Sequence, residues 1–365
     1  MNVRPAFSNS STSCSAPVTA IDPALASALL GLAIGLILGL ASRIGRFCTL
    51  GALEDALYGG SFVRLRQWGV AIGVAMILNH LALSRGLIDT GGTLYLGQVW
   101  YPLGSVLGGL LFGYGMAMAG NCGFGALARL GGGDLRSLMI VLVMGMTAYA
   151  TLSGPLAAWR VALMPQMAPP PSPPGIAQDL SRLGGAPWIW GVGIGTLVLT
   201  LALASRSARA APAKMGWGAA VGAAVALAFV GTSWLAYTSF DAVPVVAPTF
   251  ASPVGETMIW VMTASGQSLS FAVGCVSGVV VGALIGSVRK GHFRWEVCDD
   301  ARELGRLIAG ATMMGIGGVV AAGCSIGQGL SGLSLLAWSG PVTLAAICAG
   351  AALGLRRLII AGHGV

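Results

Sequence analysis

Two cysteines, Cys122 and Cys324, hold the same place in two copies of one pattern. Gly108 to Gly125 reads GGLLFGYGMAMAGNCGFG, and Gly310 to Gly327, 202 positions later, reads GATMMGIGGVVAAGCSIG with no gap. Gly108 falls on Gly310, Gly113 on Gly315, Gly115 on Gly317, Ala119 on Ala321 and Gly125 on Gly327. An internal repeat of this kind bears on architecture before any single residue does. Each copy is an apolar, glycine-rich helix that stops at its cysteine, and another glycine-bearing run starts at once. In a membrane protein that pattern reads as a broken helix whose break lines a pathway.

Cys48-Thr-Leu-Gly51 repeats the Cys-x-x-Gly spacing of Cys122-Gly-Phe-Gly125 and Cys324-Ser-Ile-Gly327. Cys275-Val-Ser-Gly278 also fits, and abundant glycine explains it by chance. The segment after the first apolar run, Arg43 to Gly60, is too polar to span a membrane and too apolar for a loop. A shift of 246 lays its residues 43–59 on Arg289 to Gly305, with Arg43 on Arg289, Gly45 on Gly291 and Phe47 on Phe293. Four breaks are therefore expected, at Cys48, Cys122, Arg294 and Cys324.

A half-helix starting at each break would aim free backbone N–H groups at one place, since non-helical backbone at membrane depth must face protein or a cavity. Each helix N-terminus behaves as roughly half a positive charge, so four that converge would offset about two negative charges, those of a small dianion. The thiols add a weak donor and a soft, polarisable atom, suited to a ligand with exposed sulfur. The neutral S–H is the expected working form, guiding the ion without bonding to it. Asn121, Gly123 and Ser325 flank the breaks and belong to the same candidate site. Arg46 and Arg294 would attract an anion at the inner mouth, although arginines at helix ends more often snorkel to the interface. Cys275, Cys298 and Cys348 read as structural, and Gly31-x-x-x-Gly35-x-x-x-Gly39 reads as helix packing.

Other chemistry finds no footing. None of the seven cysteines forms Cys-x-x-Cys, and His80, His292 and His363 are scattered, which argues against a zinc site and a disulfide framework. The phosphate-binding loop Gly-x4-Gly-Lys-Ser/Thr is absent, and nothing calls for a cofactor.

The elements that must position these residues follow from composition. Charged residues make up 9% of the chain, against about 25% in soluble domains, and the mean hydropathy is +0.82. Such a chain cannot cover a soluble surface, so the expected fold is an all-α polytopic membrane protein. Spans of about 20 apolar residues fall near 24–42, 68–84, 102–120, 137–158, 188–204, 216–237, 269–288, 306–323 and 341–360. These nine helices form two related halves around four buried loops. The first half covers 24–158 and the second 266–365, with linking helices and a loop over 188–265. Residues 1–23 read as a disordered tail, and 159–187 as a Pro-rich extracytoplasmic loop.

Arginines and lysines follow the odd-numbered segments: Arg43, Arg46 and Arg64; Arg129 and Arg136; Arg206 and Arg209; Arg289 and Lys290; Arg356 and Arg357. By the positive-inside rule that side is cytoplasmic, which puts the N-terminus outside and the C-terminus inside. Most of the net charge of +8 follows from this rule, and the remainder favours an anionic substrate. No basic block stands apart from the membrane segments, so nucleic acid is not expected as a partner.

Gly45-Arg46-Phe47-Cys48-Thr49, Ala119-Gly120-Asn121-Cys122, Phe293-Arg294-Trp295-Glu296 and Gly323-Cys324-Ser325-Ile326-Gly327-Gln328-Gly329 resemble the YeeE/YedE family of bacterial sulfur-compound transporters. The similarity runs across nearly the whole chain from about residue 24. It implies uptake of thiosulfate across the inner membrane, with Cys48, Cys122 and Cys324 marking the route, and a small cytosolic sulfur-carrier protein as partner. Some relatives handle selenium compounds, which is the alternative substrate. The family commonly carries Gly-Gly-Cys where this chain has Gly120-Asn121-Cys122. Two rivals come from other classes. A membrane thiol oxidoreductase would need a nearby cysteine pair, and none is adjacent in sequence. A scaffold would tolerate loss of the cysteines.

Overall fold

The computed structural model describes residues 22–89, 91–97, 99–163, 175–239, 243–296 and 300–362. The expectations for the N-terminal tail, Cys298 and the centre of the Pro-rich loop therefore lie outside the described residues. In chain order the helices are α1 (Pro23–Arg43), α2 (Thr49–Leu57), α3 (Val63–Ser84), α4 (Pro102–Ala119), α5 (Gly123–Leu130), α6 (Leu135–Leu152), α7 (Ala157–Leu163), α8 (Ile176–Ser181), α9 (Pro187–Leu203), α10 (Arg206–Arg209), α11 (Pro212–Thr238), α12 (Ser252–Thr263), α13 (Phe271–Arg289) and α14 (Ala301–Val320). A π-helix, Gly327–Gly332, and α15 (Ser339–Gly362) complete the chain.

Among the described residues eight helices are long and apolar enough to cross a membrane, and α9, with 17 residues, is a shorter apolar helix. The protein is an all-α polytopic membrane protein, and each of the nine apolar segments lies on one of these helices. Proline opens α1, α4, α9 and α11 at the first helical position, where its missing N–H costs nothing. Asp134, Ser270 and Asp300 cap α6, α13 and α14 through their side chains.

One pattern occurs four times: a long helix, a break, a short helix, a long helix. It runs α1–α2–α3, α4–α5–α6, α11–α12–α13 and α14–π-helix–α15, with α9 between the second and third. Glycine contacts fix how these pack. A Cβ on Gly108 would meet the Gly317 carbonyl, and one on Gly115 would meet that of Gly310. Helices α4 and α14 therefore run antiparallel, each facing its own repeat counterpart across a local two-fold. Helices α1 and α13 run parallel instead: Gly31, Gly35 and Gly39 press on the backbone at Phe271, Cys275 and Val279, while Gly274, Gly278 and Gly282 press back on Ala28, Leu32 and Leu36. Small residues that let backbones touch are the usual adhesive where water supplies no hydrophobic drive between helices.

The fourth break differs from expectation. No helix starts at Arg294. Residues 292–295 have no regular secondary structure, the Arg294 N–H donates to the Gly132 carbonyl, and Glu296 bridges to Asp134. The segment fastens the turn between α5 and α6 and carries the Arg136–Glu296 ion pair. The 246-residue shift had matched α1 with α13, which are packed neighbours of the same direction. The fourth break is instead residues 243–251 leading into α12, and it holds the position in its four-part unit that Cys48 holds before α2. Pro244 and Pro248 keep this stretch from forming helix. Its backbone is satisfied by neighbours, as membrane depth demands: Val246 exchanges hydrogen bonds with Thr232 of α11, and Ser331 of the π-helix donates to the Pro248 carbonyl.

Candidate functional site

The three cysteines each precede a short helical run. Cys48 is the N-cap of α2 and Cys122 that of α5. The Gly125 N–H donates to Cys122 Sγ at 3.3 Å, and the Gly327 N–H donates to Cys324 Sγ at 3.4 Å. The two related cysteines thus accept the same i+3 amide, the bond that a serine or threonine N-cap would take. This holds each sulfur over the open end of its short helix. The preceding turns also correspond. Gly120 (φ 71°) ends α4 in the left-handed region, and its counterpart Ala322 (φ 53°) does so after α14.

The breaks meet in the buried centre. The Cys48 and Cys122 thiols are near neighbours in this centre. Thr49, the first residue of α2, donates to Ser325 Oγ at 3.2 Å. Cys324 Sγ accepts the Phe250 N–H at 3.3 Å and shares a 3.6 Å hydrogen bond with the Thr249 hydroxyl. Phe124 of α5 packs on Phe250 with ring centroids 5.2 Å apart, and both rings are fully buried. Cys122, Cys324, Asn121, Ser325 and Thr49 are all buried, while Cys48 is half-buried. A Cβ on Gly123 would strike Met144, so glycine keeps the start of α5 against α6.

Cavities reach this centre from both ends of the helices. On the arginine-bearing end a vestibule of about 390 Å³ is lined by Arg46, Cys48, Asn121 and Gly125 together with further basic residues. On the opposite end two cavities of about 160 and 200 Å³ share Leu94 and Tyr95. The first reaches Gln328 and Ala322, and the second reaches Thr249, which touches Cys324. The arrangement is two mouths separated by a short septum of thiols, backbone N–H groups and phenylalanines.

The sequence pattern of sulphur transport proteins matches residues 44–353, and so takes in all four breaks. The chain belongs to the sulphur transport family. It is 27% identical over 323 residues to the thiosulfate transporter TsuA of Spirochaeta thermophila, covering 85% of this chain and 92% of that protein. It is 24% identical over 331 residues to the thiosulfate transporter TsuA of Escherichia coli, covering 87% and 90%.

Within the transporter, seven of the eight residues singled out from sequence surround the septum or the vestibule. Arg294 does neither: it is exposed, and it is not part of the vestibule lining. Sequence reasoning missed Thr249, Phe250 and Tyr95. Thr249 and Phe250 carried a readable signal in Ser252-Pro253, a hydroxyl residue and a proline opening a helix after an apolar, proline-broken stretch. Tyr95 had none.

Proposed function

We propose that this transporter takes up thiosulfate, or a closely related small sulfur anion, through the septum between Cys324, Cys122 and Cys48. The observation that carries the reading is the meeting of three thiol-bearing helix starts with the start of α12 in one buried, water-poor place. A dianion there trades its hydration for backbone N–H groups and helix dipoles. The terminal sulfur of thiosulfate finds soft thiols, which sulfate cannot exploit. The ion passes from Cys324 to Cys122 to Cys48 and leaves through the arginine-lined vestibule.

This reading sets the protein in the inner membrane, with the N-terminus outside and the arginine-rich end in the cytoplasm, in keeping with the positive-inside rule. A small cytosolic sulfur-carrier protein receives the ion on that face. The protein acts as a transporter and not as an enzyme. On this reading the two inverted halves run over 23–152 and 212–362, with α9 standing between them.

The test is thiosulfate uptake in a bacterium without its own sulfate and thiosulfate importers. Cys122→Ala and Cys324→Ala, at equal expression, are each expected to lower uptake about tenfold or more, as loss of a hydrogen bond to a charged group implies. Uptake surviving both changes refutes the thiol route. No uptake by the parent redirects the search to selenium or other sulfur compounds.

The Cys48–Cys122 contact favours a second reading, thiol exchange, by supplying in space the pair missing in sequence. Mass spectrometry of protein trapped by rapid alkylation during uptake separates the two. A Cys48–Cys122 disulfide formed during uptake, its two electrons passing to the S–S bond of thiosulfate with release of sulfite and sulfide, supports exchange, and thiols that stay free support passage alone.

A further inference from the structure

The vestibule at the arginine-bearing end is built differently from the septum beneath it. Arg43, Arg46, Arg64, Arg129, Lys290 and His292 line it, and among the described residues no aspartate or glutamate does. Arg64 is paired with Asp55 at 3.3 Å. Arg43 donates to the Ala128 and Arg129 carbonyls, and Lys290 to that of Ile44. Arg46 and Arg129 have no ion pair among the described residues, although on the same face Arg136 meets Asp134, Glu296 and Glu303. Asp55 is thus spent on Arg64, and Asp134, Glu296 and Glu303 on Arg136. Glu54 lies near Arg64 and Arg129 without an ion pair to either, so the vestibule's basic residues outnumber the carboxylates around it and it keeps a net positive charge. Arg46 is held at φ 54°, a left-handed conformation unusual for a residue with a side chain, in the turn that leads directly into Cys48. A concave, one-signed surface concentrates counter-ions well beyond what scattered charges achieve.

The donors decide which ion. Guanidinium and ammonium groups bond oxygen, often two oxygens at once. Among the described residues Cys48 is the only soft group in the lining. The vestibule therefore recognises what thiosulfate has in common with sulfate and sulfite, its charge and its oxygens. The terminal sulfur that sets thiosulfate apart is read deeper, at the thiols.

We propose that the vestibule is a binding site for small oxyanions such as sulfate and sulfite, entering from the arginine-bearing side, and that an anion held there obstructs release and brakes uptake. The brake rests on the transport reading above, whereas the binding site does not. Uptake then responds to the oxyanion content of the receiving compartment, with no separate regulatory domain.

Radiolabelled sulfate binding to the purified full-length protein tests the site without transport. Saturable binding is expected, weakened about tenfold by Arg46→Gln or Arg129→Gln, as loss of one charge-assisted hydrogen bond implies. Arg129→Lys restores most of it by returning the charge, and a thermal melt shows that each variant is folded. Absence of saturable binding, or binding unchanged in both glutamine variants, overturns the proposal. Vesicles loaded with sulfate test the brake. Initial thiosulfate uptake should fall as internal sulfate rises, and the half-inhibiting concentration should rise about tenfold in Arg129→Gln. Uptake indifferent to internal sulfate overturns the brake. Absence of uptake in sulfate-free vesicles counts against the transport reading, and sulfate binding then still decides the site.

Discussion

At the scale of single residues, the septum depends on small polar bonds in an apolar surround. Thr49 and Ser325 join two breaks through one hydrogen bond of 3.2 Å, both partners buried. Thr49→Val keeps the shape and leaves Ser325 without its donor, so it is expected to cost about 1 kcal/mol of stability in a detergent melt. A larger effect on uptake than on stability would show that the bond sets the spacing of the breaks. Accessibility separates the three thiols. Cys48 lines the vestibule and is half-buried, while Cys122 and Cys324 are 1% and 2% exposed. A membrane-impermeant maleimide added from the arginine-bearing side should label Cys48 well before the other two, as mass spectrometry of labelled peptides will report. Equal labelling of all three would contradict this burial order. The thiols were legible in sequence because duplication marked two of them and spacing the third. Tyr95 was not, because a lone tyrosine in a loop acquires its place beside Ser331 only when distant segments pack.

At the scale of elements, the long helices were legible because membrane solvent leaves one signal, a sustained apolar run. The re-entrant breaks were legible only where glycine and cysteine punctuated them. Residues 243–251 escaped because their buried valines and alanines read as a membrane-edge loop, while the real marker was the prolines that forbid helix. Arg294 was misplaced for the opposite reason: a basic, aromatic segment looked like the turn at Arg46 but lies on the surface and starts no helix. The turn after α14 provides an element-scale prediction. Ala322 adopts a left-handed conformation that its counterpart Gly120 takes at no steric cost. Ala322→Gly relieves about 1–2 kcal/mol of backbone strain and gives up roughly half of that to chain entropy. A modest rise in melting temperature is expected, and a fall would show that the turn is not strained. The α1–α13 seam gives another. Gly35→Val would drive a side chain into the Cys275 carbonyl, with an expected loss of about 3 kcal/mol or more and poor folded yield by size-exclusion chromatography.

At the scale of the whole molecule, the fold is an antiparallel pairing of two similar assemblies, with α4 against α14 at the centre. Since the pairing inverts one assembly, fusing a reporter enzyme after α6 and another after α15 reports opposite ends of two related helices. By the positive-inside rule the reporter after α15 should be active in the cytoplasm and the one after α6 in the periplasm. Agreement on one compartment would break the inverted arrangement. The cysteine count has a consequence of its own. Three of the four breaks present sulfur, and where symmetry would put a fourth thiol, ahead of α12, the chain places Phe250 and Ala251. The backbone has no preferred direction, but its chemistry does: one approach meets an aromatic ring beside a single thiol, and the other meets a thiol pair beneath a cationic bowl. A passage whose backbone is related end to end by a local two-fold is therefore polarised like a battery with unlike terminals. Thiosulfate flux measured under equal and opposite gradients should differ between the two directions.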